Sequence, residues 1–184
     1  MEAQAPIGME PAASSAEIER IFRENHAAVF RAAYRVTGNA DDAEDVLQTV
    51  FLRMLRRDPE AEPVSNMSSF LHRSAINAAL DVVRARQHVK NVPLDEWEPV
   101  LAESPHRRPD RAQTASEIRD WLRGALARLN PRIAQMFALR FFEGKDNPEI
   151  ARLLETTPGT VAVTLSRTRD RLEKELKSYL GGVR

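Results

Sequence analysis

Three groups of side chains in this sequence could do chemistry, and in each the chemistry is recognition, not bond making. The first lies near the C-terminus, in the run 148–165 (PEIARLLETTPGTVAVTL). Ile150, Ala151 and Leu154 on one helix, and Val161, Leu165, Thr168, Leu172 and Leu176 on the next, keep the spacing of two inward faces across a tight turn. The second helix leaves outside Thr160, Val163, Thr164, Arg167 and Arg171, small groups that let a helix approach a groove, then cations. A recognition helix reads base edges in the major groove with its N-terminal turns and touches phosphates elsewhere. An ordinary helical hairpin with a charged outer face gives the same pattern, so both readings stay open on this run alone.

The second group is acidic. Residues 37–52 hold Asp41, Asp42, Glu44 and Asp45 and no base. Carboxylates in a first turn complement the helix dipole by ~0.3–1 kcal/mol each, and Asp41 and Asp42 are placed for that. Glu44 and Asp45 exceed that need, which points to a basic protein partner. A catalytic carboxylate pair is the other reading; no nucleophile, Gly-rich loop or histidine constellation accompanies it. The third group is the polar stripe Arg73, Asn77, Asp81 and Arg84, spaced i, i+4, i+8 and i+11, beside Asn66, Met67 and Ser68. A solvated helix face explains it, and so does a track for a single nucleic-acid strand, whose bases need pockets and stacking surfaces beside cations.

Composition removes the competitors. There is no cysteine, hence no disulfide, thiolate metal site or Cys nucleophile. His26, His72, His88 and His106 are scattered, so no metal site is expected, and no cofactor is implied. No run approaches the ~18 apolar residues of a membrane span and the N-terminus lacks a basic-then-apolar signal, so a cytoplasmic protein with no membrane insertion is expected. Lys plus Arg equals Asp plus Glu, 27 each, so no global charge attracts nucleic acid. The signs are instead separated: residues 69–90 carry Arg73, Arg84, Arg86 and Lys90 against Asp81 alone. Two differently charged partners fit that separation.

The elements that must position these groups are helices. Aromatics are only 6 % and β-branched residues never alternate in runs, which argues against an all-β domain. Prolines mark the ends: Pro131, Pro148 and Pro158 follow the capping residues Asn130, Asn147 and Thr157 at first helical positions. Helices are expected over about 15–36, 41–56, 68–86, 114–129, 131–142, 148–154 and 158–179. Ser14 with Glu17, and Thr114 with Glu117, are the expected capping boxes; Gly38 and Gly144 are the expected stops. Ile18, Ile21, Phe22, Val29, Ala32, Ala33 and Val36 form the expected inner face of the first helix. Gly124 lies inside a helix, where it costs ~1 kcal/mol against alanine, with no reason visible in the sequence. Pro59 and Pro63 mark a loop, and Pro93, Pro99, Pro105 and Pro109 fall within 88–112, which reads as a flexible linker. The expectation is all-α: a disordered tail at 1–13, a small helical bundle at 14–87, the linker, and a second helical domain at 113–184 ending in a helix-turn-helix.

Taken together, these residues resemble the extracytoplasmic-function class of bacterial sigma factors, the smallest of the sigma-70 superfamily. The run 36–51 (VTGNADDAEDVLQTVF) looks like the region-two signature of an acidic turn, a Gln and a Phe. The run 70–84 (FLHRSAINAALDVVR) is similar to the promoter-contacting helix that follows, and 129–171 looks like region four. The resemblance implies that Asp42, Glu44, Asp45, Gln48 and Phe51 grip the core RNA polymerase. It implies that Asn66, Met67, Ser68, Arg73, Asn77 and Arg84 hold the melted −10 promoter strand, and that Thr160, Val163, Thr164, Arg167 and Arg171 meet the −35 duplex. The sequence departs from the family at Ala162 and Thr164, where many members carry a cation, and at Phe70, usually tryptophan. Upstream reading here then rests more on shape and apolar contact.

The implied function is non-enzymatic: directing core RNA polymerase to promoters and promoting DNA melting, with promoter DNA and an anti-sigma factor as further partners. Unstacking costs a few kcal/mol per base, and a pocket for a flipped base recovers part of it. Two weak grips tethered to one polymerase act intramolecularly. A 25-residue linker spans ~27 Å as coil and ~78 Å extended; two turns of DNA need ~70 Å, so the linker is expected to lie extended. The competing reading is a stand-alone helix-turn-helix regulator that binds palindromic DNA as a dimer.

Overall fold

The computed structural model describes residues 15–57, 64, 66–91 and 111–181. The expected tail, Ser14, the loop prolines Pro59 and Pro63, and the four prolines of the expected linker lie outside them. The described residues form seven helices and no strand: α1 (Ser15–Thr37), α2 (Ala40–Leu55), α3 (Met67–Asn91), α4 (Arg111–Arg128), α5 (Pro131–Phe141), α6 (Asn147–Leu153) and α7 (Pro158–Gly181). The all-α expectation holds.

Local chemistry fixes most boundaries. Gly38 ends α1 at φ +69°, its N–H donating to Tyr34 O at 2.7 Å; an L-residue pays for that conformation. One residue on, the Asn39 side chain accepts from Asp42 N at 3.0 Å and starts α2. Asn130 caps α5, with Pro131 at its first position. Three expectations are corrected. Asp146, not Asn147, caps α6, through a reciprocal box with Glu149, so Pro148 sits at the second position. Helix α4 starts at Arg111, which puts Thr114 inside the helix and removes the expected box; Arg, Ala and Gln are all good helix formers. Helix α3 runs to Asn91, because no breaker precedes Pro93, so 88–91 and 111–112 are helix where linker was expected.

Helices α1, α2 and α3 pack on one another, and α5, α6 and α7 form a second group; α4 and α5 lie against α3. The two groups share one apolar core. Its largest wholly enclosed side chains include Leu71, Ile76 and Leu80 of α3, Leu126 of α4, Leu139 of α5, Ile150 of α6 and Val161 of α7. This is why α3 is apolar around most of its circumference: it is a wall shared by two helical layers. Gly124 faces α3. A Cβ there would stand 3.0 Å from Gln87 Nε2, the end of a side chain on α3, so α4 lies close to α3 at this position.

One expected core residue is displaced. Phe22 is 41 % exposed; it stands edge-on to Phe51, ring centroids 4.9 Å apart, and stacks on His26 at 5.1 Å. Asn25 takes an inward position instead, buried and donating to Ile21 O at 2.8 Å.

Candidate nucleic-acid and polymerase interfaces

The turn between α6 and α7 is built by side chains of the sequence itself. Glu155 takes the left-handed conformation at φ +49°, Thr156 N donates to Ala151 O at 3.0 Å, and Thr157 Oγ1 accepts from Thr160 N at 3.1 Å to cap α7. Val161, Leu165, Thr168 and Leu172 are buried, with Leu176 half-buried. Thr160, Val163, Arg167 and Arg171 are exposed and Thr164 is half-buried, along one stripe at i, i+3, i+4, i+7 and i+11. Arg171 is tied to Glu175 at 2.7 Å. Arg167 enters none of the ion pairs among the described residues, so its guanidinium is available to a phosphate or base.

The acidic helix divides into two. Asp42 is 9 % exposed; its Oδ1 accepts from Arg86 Nη2 at 2.6 Å, while its Oδ2 is buried without a partner. Phe51 is 7 % exposed and belongs to the core. Glu44, Asp45 and Gln48 face outward. Sequence reasoning missed what continues them: Leu52 and Leu55 are half-exposed leucines at i+4 and i+7 from Gln48. The outer stripe of α2 is therefore acidic at its start and apolar at its end. The signal was present, since two leucines stand on the face opposite Val46 and Val50.

The third group is gathered, but under a roof. Asn66 caps α3, its side chain accepting from Ser69 N at 2.9 Å. Met67 is half-buried against the core. Asn66, Ser68 and Arg73 line a cleft of about 930 Å³ whose opposite wall carries Glu143, Lys145 and Arg152. Asn77 and Arg84 line a second, of about 380 Å³, opposite Pro131, Arg132 and Gln135. Arg73 Nη1 donates to Leu153 O at 2.7 Å, and Arg84 pairs with Asp81 at 2.8 Å. Arg57 lies over the Phe70 ring at 5.9 Å. The stripe expected to face solvent is thus partly covered by α5 and α6, a long-range contact that no local pattern announces.

At the edge of the larger cleft, Glu143 accepts from Arg35 at 3.1 Å and lies 2.8 Å from His72 Nε2. Burial raises its pKa, but hydrogen bonds and charge from His72 and Arg35 outweigh burial and hold it below the ordinary 4.5. Among the described residues, no group of three or more His, Asp or Glu could hold a metal ion, and no helix is long and apolar enough to cross a membrane.

A helical bundle followed by a helix, a tight turn and a helix whose outer stripe is exposed and partly cationic defines an all-helical protein of bipartite build. Its parentage is specific: residues 21–89 match the model of Sigma-70 region 2 and residues 119–172 that of Sigma-70, region 4. The chain is 32 % identical over 160 residues to the RNA polymerase sigma-E factor of Streptomyces coelicolor, covering 87 % of this chain and 86 % of that one. It is also 32 % identical over 162 residues to the ECF RNA polymerase sigma factor SigE of Mycolicibacterium smegmatis, covering 88 % of this chain but only 62 % of that relative's length. Among solved structures, the sigma factor RpoE of Bartonella quintana, crystallised with the anti-sigma factor NepR, aligns at TM-score 0.48 and 21 % identity over 86 % of this chain and 96 % of that one. The chain belongs to the ECF RNA polymerase sigma factors of the sigma-70 family. That family consists of transcription initiation factors, not enzymes.

Proposed function

We propose that this chain acts in the cytoplasm, bound to core RNA polymerase, and selects promoters by two contacts. The outer stripe of α2 (Glu44, Asp45 and Gln48, continued by Leu52 and Leu55) docks on a basic and apolar surface of the core. Asp42 and Phe51 support that stripe from inside. The polar stripe of α3, with the Asn66, Met67 and Ser68 segment, receives the melted −10 strand through Arg73, Asn77 and Arg84. Thr160, Val163, Thr164, Arg167 and Arg171 on α7 meet the −35 element as duplex. An N-terminal unit ending with α3 and a C-terminal unit beginning with α4 carry these contacts, and an anti-sigma protein is a further partner, competing for the same faces.

The observation that carries this reading is the presence of both matched regions in order on one chain. A stand-alone regulator needs only the second. The test is run-off transcription from genomic promoter fragments with purified core polymerase. Discrete transcripts are expected only when this chain is added. Identical transcripts with and without it would refute the reading.

A further inference from the structure

We infer that the smaller cleft, between α3 and α5, is a binding site for an oxyanion of the phosphate type. The site uses Arg132 and Gln135, to which the proposed function gives no role, and it stands or falls without that reading.

The cleft, of about 380 Å³, is rich in donors and poor in acceptors. Helix α3 gives it Asn77, Asp81 and Arg84; α5 gives it Arg132 and Gln135. Arg84 Nη1 holds the Asp81 carboxylate at 2.8 Å, but Nη2 of the same guanidinium is buried without a partner. Gln135 is 8 % exposed, and its Nε2 is a second buried donor without a partner. Folded chains seldom leave such groups unmet, and each carries its full desolvation penalty until an acceptor arrives. Two of them, one from each helix that forms a single open cleft, point to a ligand that supplies acceptors to both. Charge then says which ligand. Arg84 and Arg132 stand against Asp81 alone, so the cleft is cationic. Arg132 enters no ion pair among the described residues, and its Nη2 donates to Leu154 O and Glu155 O, which fixes the guanidinium in place. Asp81 is 64 % exposed and already answered by Arg84, so water screens it. Asn77, exposed one turn earlier on α3, adds an amide. Donors from two helices suit an ion with acceptor oxygens on every side, and hydrogen bonds to an oxyanion are the stronger, charge-assisted kind. Among the described residues no aromatic ring lines the cleft, which gives a planar base nothing to stack on. An ion seated there bonds α3 and α5 at once, so it binds the folded chain alone and stabilises it by mass action.

Thermal unfolding of the full chain, with inorganic phosphate replacing chloride at constant ionic strength, tests the site. The melting temperature is expected to rise saturably, by ~3 °C at a tenfold excess over the half-saturating concentration. Gln135→Met keeps the buried volume and removes the amide; it is expected to abolish the rise. Gln135→Glu offers Arg84 a permanent acceptor. That variant is expected to melt above the wild type in chloride and to gain nothing from phosphate. A second arm uses adenosine 5′-monophosphate in place of inorganic phosphate. A matching rise supports a site for phosphate carried on an organic group, and a rise confined to inorganic phosphate supports a site for the free ion. No rise with either overturns the inference. So does a rise that never saturates, or one of equal size in the wild type and both variants, since exclusion of phosphate from the protein surface explains both. No polymerase or DNA enters the measurement, so its failure and that of the transcription test are distinct.

Discussion

Asp42 and Asp45 stand three positions apart on α2 and do different work. Asp45 is exposed and enters no ion pair among the described residues; Asp42 is buried against Arg86. Charge reversal at Asp45 is expected to weaken core association about tenfold (~1.4 kcal/mol) with an unchanged melting temperature. Co-elution with core undiminished would count against α2 as the docking face. Asp42→Ala is expected instead to lower stability by about 1 kcal/mol, since Arg86 is half exposed and keeps its water, or ~2–4 °C in melting temperature. On α7, Arg167→Ala is expected to reduce output from promoters that need their −35 element about tenfold, within the ~1–3 kcal/mol of a specific base contact, and to spare promoters that do not. Equal output from both kinds would remove α7 from recognition. At this scale the sequence reading was right about which residues are charged or small and blind to which are buried. Asp42 and Glu44 look alike in a string; only α3, supplying Arg86 from 44 positions away, separates them.

Helices were the most legible level, because prolines, caps and apolar periodicity are local and act together. The errors were local too: a better cap one residue upstream at Asp146, and helix formers that carry α3 and α4 beyond the expected ends. Periodicity also showed that α3 is apolar on most sides, but not what would cover its second face, since that depends on helices brought back from residues 111–154. Gly38 likewise gains its meaning from Arg123 across an interface. Gly38→Ala combines an unfavourable φ with displacement of Arg123, and is expected to cost about 1–3 kcal/mol in chemical denaturation. A loss below ~0.5 kcal/mol would show that neither constraint matters.

For the whole molecule, Glu143 makes the packing of the two helical groups sensitive to acid. Its pKa is lowered in the folded chain, so the unfolded chain binds more protons there. The stabilisation is complete above the ordinary 4.5 and is lost as pH falls through the lowered folded value. Subtracting the melting-temperature profile of Glu143→Gln from that of the wild type is expected to leave a stabilisation that fades below about pH 4.5. A difference independent of pH would show that the charge on Glu143 contributes nothing. Zero net charge over the chain gives it no overall attraction to phosphate, so the proposed function expects that attraction to come from the core polymerase.

On the proposed function, two weak contacts become selective only when the core polymerase holds both. Fluorescence anisotropy of a labelled promoter duplex, titrated with this chain alone and with core plus chain, tests it most directly. The expected result is sequence-independent, salt-sensitive binding by the chain alone and tight, sequence-specific binding with core. Tight, symmetric binding of a palindromic site by a dimer of the chain alone would contradict the account.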